Sequence, residues 1–264
     1  MSDDTSTAIA LVPPSPKYRI PLRNFVQAGW YMALGKPRNL GHDFRYLAGK
    51  LPAAPVISGT QYLPASGPYV VVANHYERPG LWMGWSGMIA ARVVYEHSER
   101  RLRWIAIAEW HDYKLAGIAV PPKLTRFLFD RFFRVFGFIA MEPQGATAAE
   151  RAGGVRTALE AIRVGDAIGI FPEGNIGSTP AMIKAQQGSG AFLLGLHARS
   201  APLIPLGLFE AENRLHLRFG PSLDPSDVKV LPRKERDEAA STMAMTAVAA
   251  LVPLDLRGAY GGEA

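Results

Sequence analysis

The chain has 264 residues, no cysteine and a formal net charge of +6. This length is enough for one α/β domain with a full core. The lack of cysteine excludes disulfides and cysteine-ligated metal sites and is typical of a reducing cytoplasm. The sequence pI near 9.6 favours an anionic partner, such as a membrane surface, a nucleotide-bearing cofactor or nucleic acid, without choosing among them.

The first segment, residues 1–16, is rich in Ser, Thr and Asp and ends in a Pro-rich stretch. No basic residue precedes its short apolar run at 8–12, so we do not interpret it as a secretory signal. The composition predicts a disordered arm over 1–16. No apolar run reaches the roughly 20 residues of a membrane-spanning helix. We therefore expect a cytoplasmic protein, with at most a peripheral contact on the cytoplasmic face of the membrane.

Residues 17–51 mix aromatic and basic side chains, and Gly35-Lys36-Pro37 divides them into two short helical pieces. Two interpretations remain open. The segment is a helical hairpin packed on the core, or it is a membrane-interfacial segment, because Trp, Tyr and basic residues favour the headgroup zone.

From Val56 onward, short buried strands alternate with amphipathic helices. The predicted strands are Tyr69–Ala73, Leu102–Ala108, Ala167–Phe171, Leu203–Phe209 and Leu215–Phe219. The predicted helices cover Leu81–Val94, Thr125–Phe136, Val155–Ile162, Ala191–Ala198 and Glu235–Leu251. This alternation predicts an α/β fold with a mostly parallel or mixed central sheet flanked by helices. With no repeat and no linker, residues 17–264 are predicted to form a single domain that begins with the N-terminal helical hairpin.

Three of the predicted strands are followed by candidate site residues. These are Asn74-His75, Pro172-Glu173-Gly174 and Gly207. Functional groups in parallel sheets lie just beyond the carboxyl ends of the strands. A lone His after a strand is more often structural than catalytic, but three such loops together favour a site.

Four stretches of the chain form a recognisable series: Val71–His75, Phe136–Glu142, Ile170–Asn175 and Pro202–Leu206. In order and spacing they resemble the lysophospholipid (glycerol-phosphate) acyltransferase family. That family carries Asn-His, four residues and an Asp, then a segment ending in Arg, then Phe-Pro-Glu-Gly, then an apolar strand with a central Pro. The resemblance covers roughly residues 55–225.

The resemblance implies acyl transfer from a thioester to a hydroxyl or amine acceptor. The donor is acyl-CoA or an acyl carrier protein, used as co-substrate, and no bound cofactor is expected. His75 is the implied general base, suited to the role by an ordinary imidazole pKa near 6.5. Asn74 is expected to cap the turn, and a helix beginning at His75 would keep the ring neutral.

The second motif implies an acceptor pocket. Glu173 and Gly174 are expected to shape it, with Asn175 as a further binding residue. Lys184 is either a phosphate contact or a solvated helix residue. No metal is expected, because His97, His111 and His197 are scattered along the chain and no His/carboxylate spacing matches a known site.

The chain departs from the family pattern at its catalytic motif, because Gly80 occupies the position of the Asp. Such a carboxylate holds the His tautomer, and its loss in a serine-protease triad costs about 10⁴-fold in rate. Glu77 is the nearest carboxylate and could orient His75 if the loop is not helical. A backbone carbonyl could also orient the ring.

Two arginines of the family are absent as well. The chain has Glu142-Pro143-Gln144 and Asn175-Ile176-Gly177-Ser178 at the corresponding places. Arg suits phosphate through its fixed fork of donors. We therefore expect a lipid-like acceptor that is not ordinary lysophosphatidate.

Other functions remain as alternatives to catalysis. The main one is a catalytically silent relative of the same fold that binds a lipid or an acyl carrier. Nucleic-acid binding is not expected, since only net charge supports it. A serine hydrolase lacks its Gly-x-Ser-x-Gly elbow.

Overall fold

A computed structural model describes residues 16–45, 51–107, 114–115, 118–142 and 147–262. The predicted disordered arm, apart from Pro16, lies outside the described residues, as do His111, Pro143 and Gln144.

The centre of the fold is a seven-stranded sheet. Its strands are β1 (Val56–Ser58), β2 (Tyr69–Ala73), β3 (Leu102–Ile107), β6 (Ile139–Met141), β7 (Ala167–Ile170), β8 (Leu203–Ala211) and β9 (Arg214–Phe219). A separate antiparallel pair consists of β4 (Lys114–Leu115) and β5 (Ile118–Ala119). The helices are α1 (Leu22–Leu34), α2 (Leu40–Phe44), α3 (Gly84–Ser98), α4 (Pro122–Phe136), α5 (Ala148–Arg163), α6 (Ser189–His197), α7 (Ser226–Lys229) and α8 (Arg236–Ala249).

The strand order in the large sheet is β1-β9-β8-β2-β7-β3-β6. Every neighbouring pair is parallel except β8 and β9. That antiparallel pair is joined by Glu212 and Asn213, whose positive φ angles of 52° and 58° suit a tight two-residue hairpin turn. The prediction of a mixed sheet flanked by helices is confirmed.

The buried strands form the core of the sheet. All five residues of β2 are buried, and so are all four of β7. Strands enclosed on both faces are near-continuous apolar runs, which is why these two were recognisable in sequence. β1 and β6 were not predicted, because three residues are too short to show a pattern.

The N-terminal segment contains the two predicted helical pieces, α1 and α2, with Gly35 in the left-handed conformation after α1. The two pieces pack on different helices. α2 lies against α3, with Phe44 edge-on to Trp85 at 5.6 Å between ring centroids. α1 lies against α4, where Arg131 donates to the carbonyls of Met32 (2.6 Å) and Ala33 (3.0 Å).

The outer surface of the α1–α4 pair is apolar and exposed. We call it the α1–α4 face and define it by Leu22, Phe25, Val26, Trp30, Leu34, Leu124, Phe127 and Leu128, each at least 41% exposed. Within the described part of the chain, no helix has the length and apolarity needed to cross a membrane.

Candidate active site

The candidate site lies where β2 and β7 end. These strands are adjacent and parallel, with Val70 opposite Ile168, so the loops that follow them meet at one edge of the sheet. One loop begins with Asn74-His75 and the other contains Phe171–Asn175. The two sequence motifs are therefore brought together.

Asn74 ties its loop to the neighbouring strand β8. Its side chain is fully buried, donates from Nδ2 to the Leu208 carbonyl (2.9 Å) and accepts at Oδ1 from the Leu208 amide (2.8 Å). The expected role as a helix cap is wrong, because both polar atoms of the amide are used in this pairing. His75 does not open a helix either, since α3 begins only at Gly84.

His75 is held on its main chain and on its ring. Its backbone amide donates to Oε1 of Glu173 (2.8 Å), and Nδ1 lies 3.0 Å from the carbonyl oxygen of Asn175. A carbonyl oxygen only accepts, so Nδ1 must carry the proton. The lone pair of the neutral ring is then on Nε2, the atom available as a base.

Three stacked aromatic rings fix the plane of the imidazole. His75 stacks on Phe171 at 4.5 Å and 12°, and Phe171 stacks on Trp104 at 4.5 Å and 9°. Trp104 is anchored by a hydrogen bond from Nε1 to the Gly87 carbonyl (2.9 Å). Gly169 makes room for this arrangement, since a Cβ there would lie 2.4 Å from the Trp104 ring.

Burial sets the electrostatics of the site. It lowers the pKa of His75 to about 4, partly opposed by the hydrogen bond with Asn175. Burial also raises the pKa of Glu173 to about 7, opposed by amide hydrogen bonds from Ile183 and His75. Loss of hydration disfavours the charged form in both cases. The imidazole is therefore neutral at pH 7.

Glu77 does not supply the partner of the His75 ring. Its Oε2 accepts a hydrogen bond from the Met83 amide at 3.0 Å, directly before α3. The hypothesis that Glu77 orients His75 is therefore wrong. The backbone carbonyl of Asn175 orients the ring, because it accepts the hydrogen bond of Nδ1.

The backbone conformation at position 80 favours Gly over the Asp of the family. Arg78-Pro79-Gly80-Leu81 forms a tight turn closed by the Leu81 amide on the Arg78 carbonyl (2.9 Å). Gly80 has φ +86°, as a type II turn with Pro in its second place requires. The Gly80 carbonyl also accepts from the Tyr18 amide (2.8 Å). This turn explains why α3 begins later than the predicted Leu81.

A pocket of about 500 Å³ lies between the two site loops. Its lining comes from the residues that follow His75 and Asn175, together with two aromatic side chains: Glu77, Arg78, Pro79, Gly80, Ile176, Gly177, Ser178, Thr179, Pro180, Tyr18 and Trp82. Glu173 and Gly174, which the sequence predicts to shape an acceptor pocket, are not among its lining residues. Glu173 accepts hydrogen bonds from the amides of His75 and Ile183, and Gly174 packs closely on Gln186, since a Cβ on Gly174 would lie 2.2 Å from that side chain.

Two features of the site had no signal in the sequence. One is the ring stack of Trp104, Phe171 and His75, and the other is the ion pair between Arg78 and Glu210 at 2.5 Å. Both join residues far apart in the chain. Lys184 is exposed and is not among the residues lining the pocket.

Comparison with known proteins agrees with this geometry. Residues 55–208 match the family model described as Acyltransferase. Among solved structures, the chain is similar to the 1-acyl-sn-glycerophosphate (LPA) acyltransferase PlsC from Thermotoga maritima. The TM-score is 0.51 at 14% identity, over 90% of this chain and 85% of that one. A comparison with curated protein sequences found no match. Since the family model spans more than half of the chain and includes both site loops, this protein belongs to the acyltransferase family, with a PlsC-like fold.

Proposed function

We propose that this protein transfers a fatty acyl group from a thioester to a hydroxyl or amine acceptor, with His75 as general base. The observation that carries the proposal is the contact of Nδ1 with the Asn175 carbonyl, which leaves Nε2 as the basic atom. Membership of the acyltransferase family supports the reaction class. The donor is acyl-CoA or an acyl carrier protein, and no resident cofactor takes part.

The reaction needs a base for the attacking hydroxyl and then an acid for the leaving sulfur, and His75 serves as both. Nε2 takes the proton of the acceptor hydroxyl as its oxygen attacks the thioester carbonyl carbon. The new C–O bond forms, the C–S bond breaks, and His75 returns the proton to the leaving sulfur. The Asn175 carbonyl fixes the tautomer, as a carboxylate would, but it carries only a partial charge to stabilise the imidazolium.

The acceptor is not ordinary lysophosphatidate under this proposal. The family's two phosphate-associated arginines are absent from the sequence. Arg78, the one arginine lining the described pocket, is paired with Glu210. The pocket therefore offers no guanidinium that is free to bind a phosphate bidentately.

The α1–α4 face supports a peripheral contact with a membrane. Trp30, Phe25 and Phe127 are each 58% or more exposed, and the basic residues Arg23 and Lys123 lie beside them on the same two helices. Apolar side chains with neighbouring cations bind the headgroup region of anionic bilayers. We place the protein on the cytoplasmic face of the membrane, where a lipid-like acceptor is available.

Thiol release from a series of acyl-CoA and acyl-carrier donors, measured with and without acceptor alcohols, tests the proposal. His75→Ala should lower acceptor-dependent release by about 10²–10⁴-fold, the usual contribution of a general base. His197→Ala, at the end of α6, is the matched control and should leave release unchanged. Equal turnover in wild type and His75→Ala would contradict the proposal. Tight binding of donor with no turnover under any condition would instead identify the silent binding relative.

A further inference from the structure

The pocket between the site loops has an unusual balance of charge. Of the residues that line it, two are charged, Glu77 and Arg78. The two side chains differ in how many hydrogen bonds and ion pairs they make within the protein. This difference determines the charge that a ligand in the pocket can carry.

Arg78 is engaged on several sides. Nε and Nη2 donate to the two carboxylate oxygens of Glu210, each at 2.5 Å, Nη2 also donates to the Pro16 carbonyl (2.9 Å), and Nη1 donates to the Pro79 carbonyl (2.8 Å). Four such bonds use most of the five N–H donors of a guanidinium. Glu210 balances its charge, so Arg78 contributes little positive potential to the pocket.

Only one of the two carboxylate oxygens of Glu77 accepts a hydrogen bond from the described residues. Oε2 accepts from the Met83 amide, and none of the described residues donates a hydrogen bond to Oε1. The side chain is partly exposed. Lys17 lies near this turn, since a Cβ on Gly80 would be 3.2 Å from its Cγ, but Lys17 does not line the pocket. Among the described residues, the pocket thus offers a carboxylate oxygen of Glu77 that accepts no hydrogen bond, and its one lining cation, Arg78, is paired with Glu210.

The rim of the pocket is apolar. Trp82 is 51% exposed and Ile176 is 48% exposed, and they come from the two opposite loops. An indole face attracts a cation as well as a hydrocarbon chain. The combination of a carboxylate inside and apolar side chains at the rim suits a cationic amphiphile.

We propose that this pocket binds an acceptor that carries an ammonium group, a hydroxyl and an alkyl chain, such as a long-chain amino alcohol. The ammonium pairs with Glu77 and the chain lies on Trp82 and Ile176. His75 does not itself line the pocket, but its ring is held by the carbonyl of Asn175, next to Ile176, so the hydroxyl must reach past this loop end to His75. This inference rests on the proposed function and specifies its acceptor. The product is an ester, formed by the step described above, and the thiol is released with the acceptor's proton.

Binding measured by titration calorimetry without donor tests the inference independently of catalysis. The probes are an amino alcohol, the neutral diol of the same chain length and lysophosphatidate, each below its micelle concentration. We expect the amino alcohol to bind best. Glu77→Gln should weaken its binding by about tenfold, as loss of a charge-assisted hydrogen bond predicts, and leave the diol unchanged. The glutamine keeps an oxygen for the Met83 amide, so α3 should remain intact.

The control Glu235→Gln removes an exposed carboxylate at the start of α8 and should change neither affinity. The inference would be overturned if lysophosphatidate bound most tightly, especially if Lys17→Gln abolished that binding. It would also be overturned if Glu77→Gln weakened the binding of the amino alcohol and of the diol equally. Thiol release by the wild type and by His75→Ala distinguishes a failure of the proposed function from a failure of the proposed acceptor. Unchanged release in His75→Ala would refute the proposed function, whereas ammonium selectivity is judged by binding alone.

Discussion

His75 illustrates how a main-chain atom can take over a role usually given to a carboxylate. The Asn175 carbonyl lies 3.0 Å from Nδ1 and fixes the tautomer, while the stack on Phe171 fixes the plane of the ring. Neither partner carries a full charge. The imidazole is therefore well oriented but strongly biased toward its neutral form by burial.

This bias makes stability depend on pH through His75. Its pKa is about 4 in the folded protein and close to 6.5 when unfolded, so the unfolded chain binds more protons between these values. Stability contributed by this residue is lost as pH falls from about 6.5 to 4, by up to about 3 kcal/mol. Denaturant unfolding of wild type and His75→Asn at several pH values checks this. The difference in unfolding free energy between the two proteins should change across that window, and a constant difference would contradict the shifted pKa.

Restoring the family's Asp should not restore its function here. Gly80→Asp would place a side chain at φ +86°, at a cost of about 1–2 kcal/mol, with its Cβ only 3.2 Å from Lys17 Cγ. We expect a lower melting temperature and no gain in thiol release. Gly67→Asp is a matched control, since Gly67 has φ +78° with open space around it. It should lose stability without affecting turnover, and faster turnover in Gly80→Asp would show that the turn can rearrange to form the dyad.

The strands and loops determine which residues can meet. Because β2 and β7 are parallel neighbours, the sequence was sufficient to predict that Asn74-His75 and Glu173-Gly174 share one edge of the sheet. It could not show the partner of the ring, because a carbonyl carries no side-chain signature. The stack with Trp104 was equally hidden, since it depends on the register of β3 with β7.

Gly169→Ala tests whether this register supports the site. The added Cβ would meet the Trp104 ring at 2.4 Å, so Trp104 and Phe171 must shift and the plane of His75 should shift with them. We expect overpacking to cost about 1–3 kcal/mol and thiol release to fall more than stability alone explains. Gly153→Ala in α5, with nothing within 4 Å of the new Cβ, is the control. Normal turnover by Gly169→Ala, at a temperature where the variant remains folded, would show that catalysis does not depend on the ring stack.

The molecule as a whole combines a buried site with an exposed apolar surface. The mixed sheet was predictable from alternating strands and helices, whereas the arrangement of α1 and α2 was not. Their partners, α4 and α3, are distant in sequence, and the aromatic-basic composition of 17–51 fitted a packed hairpin and an interfacial segment equally well. The exposed α1–α4 face supports the interfacial interpretation, which stays a prediction.

Vesicle co-sedimentation tests the role of the α1–α4 face. Replacing Trp30 and Phe127 with Ser should weaken binding to vesicles of mixed zwitterionic and anionic phospholipid by at least about tenfold, because each buried aromatic contributes roughly 1.5–3 kcal/mol. Val230→Ser with Leu254→Ser removes apolar side chains that are 83% and 73% exposed elsewhere and should bind like wild type. Equal binding by both double variants would contradict a membrane-facing role.

In the proposed mechanism, the Asn175 carbonyl takes the place of the missing carboxylate and leaves Nε2 of a neutral His75 as the base. The ¹⁵N chemical shifts of the His75 ring, assigned by comparison with His75→Asn, report this directly. We expect a ring protonated at Nδ1 and unprotonated at Nε2 at pH 7, and still neutral near pH 5, as the pKa of about 4 requires. A ring protonated at Nε2, or one that titrates near its ordinary pKa of 6.5, would refute this arrangement of the His75 ring.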